Sequence, residues 1–127
     1  MIRSASLLVS LGCLASFVLA ARSPAAAQDP AKVSSGIVTV KVDNDQVRVL
    51  DAVLEPGEKE KLHSHPANVV YVVSGGKLRV HKIDGTVVDT ILSTGDVFYR
   101  GPVTHWAENV GDTTLHVIVV ELKHAGK

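Results

Sequence analysis

Cysteine is almost absent from this 127-residue sequence. Its one copy, Cys13, lies within the first 27 residues, so nothing after it can build a disulfide or a thiolate metal site. Aromatic residues are scarce as well: Tyr71, Phe98, Tyr99 and Trp106 are the four that follow residue 27, too few for a platform on which nucleic-acid bases stack. Charge of one sign is lacking too, because 13 Lys and Arg face 13 Asp and Glu. No strong field therefore draws the chain to nucleic acid or to an anionic membrane. No uninterrupted apolar run reaches the ~20 residues of a spanning helix, and no twelve-residue stretch carries an amphipathic helical stripe. A phosphate loop, a dinucleotide Gly-x-Gly-x-x-Gly and a Gly-x-Ser-x-Gly elbow are all missing.

What is present falls into two unequal parts. The first 27 residues hold seven of the twelve Ala and no acidic residue. A basic start (Met1 to Arg3), an apolar stretch from Ala5 to Ala21 and the small residues Ala25-Ala26-Ala27 predict a cleavable secretory signal over 1–27, with the mature chain starting at Gln28. The product would be periplasmic or secreted, with no membrane attachment after cleavage. Ser10-Leu11-Gly12 before Cys13 is a poor lipoprotein signal.

Residues 28–127 carry 11 basic and 13 acidic side chains, a formal charge of −2. Their 20 Val, four Ile and seven Thr favour pleated, half-buried surfaces, so the domain is predicted to be all-β. Apolar runs at Ile37–Val42, Gln46–Leu54, Val69–Ser74, Lys77–Ile83, Thr86–Leu92, Asp96–Tyr99, His105–Asn109 and Leu115–Leu122 alternate with turn signals such as Pro56-Gly57, Gly75-Gly76, Asp84-Gly85 and Gly111-Asp112. Their spacing suits a sandwich or barrel over residues 36–123. Residues 28–35, polar and Pro-containing, are expected to be a flexible N-terminal lead.

The chemistry concentrates in His63-Ser64-His65. Residues two apart on a strand share a face, so both imidazoles can meet at one ion, although such a pair also fits a solvated strand face. His105, in a second segment with its own turns, tips the balance toward a metal. His81, opposite Leu78 and Val80, reads as a solvated residue, His116 as a hydrogen-bonded packing residue and His124 as part of the tail. Tyr71 suits a rim or a subunit contact, and a homodimer is one assembly it allows. Arg48 and Arg100 are candidates to pair with an anion, and Ser64 points away from its two neighbours.

Gly57 through His63-Ser64-His65, followed by Tyr71-Val72-Val73-Ser74-Gly75, resembles the first motif of the cupins. Gly95-Asp96 through His105 to Asn109 resembles the second. The resemblance implies a small antiparallel jelly-roll β-barrel with one metal site inside, whose ligands would be His63, His65 and His105. The family's glutamate is missing: its place falls on Asn68, Val69 or Val70 according to the count. Asn68 is thereby a candidate weak fourth ligand, against the plainer reading of a polar residue closing a loop. Gly101-Pro102-Val103 also departs from the family's Pro-x-Gly turn.

Three neutral imidazoles leave a divalent charge uncompensated, so the site would be cationic, open and suited to Zn(II), Fe(II), Cu(II) or Ni(II). Two functions fit. One is a metal-dependent enzyme acting on a small anionic or chelating molecule, with the dioxygenase-like chemistry implied by the resemblance of its three-histidine set to that of cupin-type dioxygenases. The other is a non-catalytic periplasmic cupin that binds a metal or a small ligand.

Overall fold

A computed structural model describes residues 28–125, and the leader expected at 1–27 lies outside them. A short helix, α1 (Pro30–Val33), precedes nine strands: β1 (Val38–Asp43), β2 (Val47–Leu54), β3 (His63–His65), β4 (Asn68–Ser74), β5 (Gly76–Lys82), β6 (Val87–Leu92), β7 (Val97–Arg100), β8 (Val103–Asn109) and β9 (Leu115–Leu122). All pairings are antiparallel. One sheet runs β1-β2-β9-β4-β7 and the other β3-β8-β5-β6. The protein is thus all-β, as its Val-rich runs predict, and its two sheets form the jelly-roll barrel that the resemblance implies.

The alternation that builds each strand also builds the interior. On β2 every second residue (Leu50, Ala52, Leu54) is buried, and Val38, Val70, Leu115 and Val119 complete one apolar cluster with them. Leu78 and Leu92 of the second sheet pack against that cluster, so the core lies between the sheets. Gly75, between β4 and β5, is obligatory: a Cβ there would stand 2.2 Å from the carbonyl oxygen of Leu92.

Residues 28–35 depart from the flexible lead expected of them. The Asp29 side chain caps α1 by accepting from the Ala31 amide, and Pro30 occupies the first turn, where its missing N–H costs nothing. The segment is fixed because β3 is an edge strand with unpaired backbone groups. The Ser64 amide donates to the Gln28 carbonyl at 2.9 Å, and the Lys61 amide to Ser34 Oγ at 2.9 Å. Arg48 on β2 completes the attachment, its Nη2 donating to both carboxylate oxygens of Asp29 at 2.9 and 3.0 Å. Asp29→Ala removes both the cap and this pair, and is expected to destabilise the protein by about 1–3 kcal/mol in urea unfolding. A loss below about 0.3 kcal/mol would mean that the segment is the loose lead after all.

Candidate metal centre

Strands β3 and β8 pair so that His63 lies directly opposite His105, and the pleat carries His65 to the same inward face. All three histidines are buried, and each offers a nitrogen within 4.8 Å of the other two. Their rings stand edge to face, with centroids 4.7, 4.9 and 5.5 Å apart. The three residues expected as ligands are therefore brought together.

Hydrogen bonds to the far ring nitrogens fix the tautomers. His63 Nδ1 lies 2.7 Å from the Lys61 carbonyl oxygen, which can only accept, so Nδ1 carries the proton. His65 Nδ1 lies 2.6 Å from Glu121 Oε1 and donates to that carboxylate. With both rings neutral, both Nε2 atoms keep their lone pairs, and they face each other at 3.0 Å. Two lone pairs at that distance repel unless a proton or a metal cation stands between them. Nitrogens about 2.1 Å from one ion and at right angles to one another are about 3.0 Å apart, so the observed separation fits a transition metal. A carbonyl and a carboxylate behind the two imidazoles are also the usual orienting partners of metal-ligating histidines.

The electrostatics point the same way. Desolvation lowers His63 to about 4, against its hydrogen bond to the Lys61 carbonyl, which favours the charged form. Desolvation, aided by the Arg100 guanidinium and the other two imidazoles, lowers His105 to about 2. At neutral pH the two are unprotonated and ready to ligate.

Asn68, the candidate fourth ligand, is fully buried, but its amide is already engaged. Nδ2 donates to the Pro66 carbonyl at 2.8 Å, and Oδ1 accepts from Arg100 Nε at 3.3 Å. Val69 and Val70, the alternative positions, offer no donor atom. His81 and His116 lie away from the cluster: His81 stacks on Trp106 with centroids 3.6 Å apart and bonds Glu108, and His116 bonds Asp51. Ser64 bonds Thr104, as its outward direction predicts.

Two carboxylates that no sequence motif marks adjoin the site. Glu121 orients His65 and lies 3.7 Å from Arg48. Glu60, in the loop before β3, brings Oε2 to 3.9 Å from His63 Nε2. Burial raises Glu60 to about 7, outweighing Arg100 and a backbone hydrogen bond at Ala107. Beside these groups a cavity of about 60 Å³ opens between the sheets, lined by Glu60, His65, Arg100 and His105 on one side and by core residues such as Leu78 and Val119 on the other. That is room for about two waters or a small ligand head group.

The cupin-domain profile matches residues 50–121, so the chain belongs to the cupin family. Among solved structures it is similar to a cupin domain from Bordetella pertussis Tohama I, at 30% identity over 69% of this chain and 93% of that one, with a TM-score of 0.64. A cupin-like protein from Thermotoga maritima MSB8 is 30% identical over 68% of this chain and 67% of that one, with a TM-score of 0.54. A Klebsiella pneumoniae protein with a double-stranded β-helix domain is 27% identical over 71% and 79%, with a TM-score of 0.53. None of the curated proteins matches the chain.

The titrations give the fold a pH dependence of defined sign. Below 6.5 the unfolded chain takes up protons on His63 and His105 that the folded site refuses. Between 4.5 and about 7 the folded site holds one proton on Glu60 that the unfolded chain lacks. The difference is about one proton more on the unfolded chain, so stability of the metal-free protein should fall by about 1.4 kcal/mol for each pH unit lost between about 6.5 and 4.5. Urea unfolding across that window checks this, and a stability that rose on acidification would contradict it.

Proposed function

We propose that this cupin holds one divalent transition metal through His63, His65 and His105 and acts on a small anionic or chelating molecule, with dioxygenase-like chemistry. The observation that carries the reading is the 3.0 Å approach of two Nε2 atoms whose Nδ1 protons are both committed elsewhere. A metal bound there supplies Lewis acidity and, if redox-active, electron transfer. The chain's own residues do the rest. Lys61 and Glu121 hold two imidazoles in the ligating tautomer. Arg100 lines the same cavity, braced by Asn68, and offers a cation to orient an anionic group. The apolar wall opposite, with Val70, Leu78 and Val119, excludes water. A space of about 60 Å³ limits the buried part of the ligand to a few heavy atoms.

The leader supports export to the periplasm or beyond, with Gln28 as the mature start. Exposed Tyr71, Val97 and Tyr99, side by side on β4 and β7, support a homodimer formed through that patch. The second reading, a non-catalytic binder of metal or small ligand, uses the same site without turnover.

Metal analysis of protein recovered from the periplasm, with its intact mass, tests the whole reading. One equivalent of a redox-active metal, a mass beginning at Gln28 and oxygen uptake with small acids or diketones are expected. Zinc without uptake, or no metal at all, favours the binder. Arg100→Gln should separate the two ligands, weakening a carboxylate by about tenfold or more while leaving metal stoichiometry at one. Equal losses for metal and anion would remove Arg100 from the anion's site.

A further inference from the structure

The cupin motif places its glutamate after the paired histidines, and here Asn68, Val69 and Val70 leave that place without a carboxylate. The fold supplies one from the other direction. The geometry points to Glu60, three residues before His63, as the carboxylate ligand of the metal centre, reaching the ion from the loop that precedes β3. This rests on the metal-binding reading above and adds to it a ligand that the motif does not contain.

Position comes first. The Glu60 amide donates to the Ala107 carbonyl at 2.8 Å, and Lys59 forms a bridge with Glu108, so the loop is pinned to β8. Ala107 is two residues from His105 and shares its buried face, so Glu60 is held one pleat along from a metal ligand. Its carboxylate turns inward: the side chain is 10% exposed, lies 3.9 Å from His63 Nε2 and lines the cavity that His65 and His105 also line.

Reach is the second consideration. Two donors each about 2.1 Å from one ion can be no more than about 4.2 Å apart, and 3.9 Å falls inside that limit. The Nε2 atom that Glu60 approaches is the one that faces His65, on the side where the ion belongs.

Cost is the third. Burying a carboxylate without a close counter-ion is expensive. Arg100 donates to Asn68 rather than forming an ion pair with Glu60 within 4 Å. A divalent cation among the three imidazoles supplies the missing counter-charge, and Glu60 in turn neutralises part of the charge that three neutral ligands leave bare. Loop residues 58–61 alternate Glu and Lys, and Glu58 and Lys61 are exposed, so the inward turn of Glu60 is specific to that position.

Glu60→Gln keeps the shape and removes the charge, which makes it the decisive variant. Zn(II) affinity by chelator competition and the visible spectrum of Co(II)-loaded protein should be compared in wild type, Glu60→Gln and Glu60→Asp. Glu58→Gln serves as an exposed neighbour, and far-ultraviolet circular dichroism confirms folding. Glu60→Gln is expected to weaken Zn(II) by at least about tenfold and to shift the Co(II) bands, with Glu60→Asp in between and Glu58→Gln unchanged. Should Glu60→Gln fail to fold, Glu60→Asp carries the test, and a wild-type spectrum and affinity there would overturn the assignment. Wild-type affinity and spectrum in Glu60→Gln overturn it while leaving the three-histidine site standing. A wild-type protein that binds neither ion overturns the metal reading itself, and this ligand with it.

Discussion

Two imidazole nitrogens with their lone pairs aimed at each other across 3.0 Å need a proton or a metal cation between them, and much of the structure around them serves to hold them there. Neither ring is free to turn. The Lys61 carbonyl fixes one and the Glu121 carboxylate fixes the other, so the repulsion cannot be relieved by exchanging tautomers. Third in the set is His105, whose place opposite His63 in the β3–β8 ladder keeps it within reach of the same point. A site organised in this way costs stability without its ion and returns it when the ion binds.

The constraint extends to the start of the described chain. Glu121, which orients His65, stands 3.7 Å from Arg48, and Arg48 grips Asp29 at the cap of α1. The same segment covers the outer edge of β3 through Gln28 and holds Lys61, just before that strand, through Ser34. The short helix is therefore part of the support of the metal centre, linked to a ligand by alternating charges. Without it, β3 would be a three-residue edge strand paired on one side only, a weak platform for two ligands.

The sequence makes some of this legible and hides the rest for physical reasons. Strands are readable because Val-rich runs between Gly and Asp turns have few other ways to bury themselves. The three histidines are readable because period two places His63 and His65 on one face. Glu121 carries a signal that was there to be read: Leu115, Val117 and Val119 set the inward phase of β9, and Glu121 continues it. A carboxylate in phase with an apolar face is a buried group in search of a partner. Asp29-Pro30 likewise spells a capped helix start. Glu60 is different, since Glu58-Lys59-Glu60-Lys61 looks like an exposed charged loop until its pairing with β8 is known. Asn68 faces inward as counted, yet no pattern in the sequence says that Pro66 and Arg100 occupy its amide.

The tautomers of His63 and His65 carry the central claim, and long-range proton–nitrogen NMR of the metal-free protein at mildly alkaline pH reads them directly. The account predicts that both rings carry their proton on Nδ1, and that Zn(II) moves both Nε2 resonances while leaving the Nδ1 protons in place. A proton on Nε2 of either ring in the metal-free protein, or Nε2 resonances indifferent to Zn(II), would contradict it.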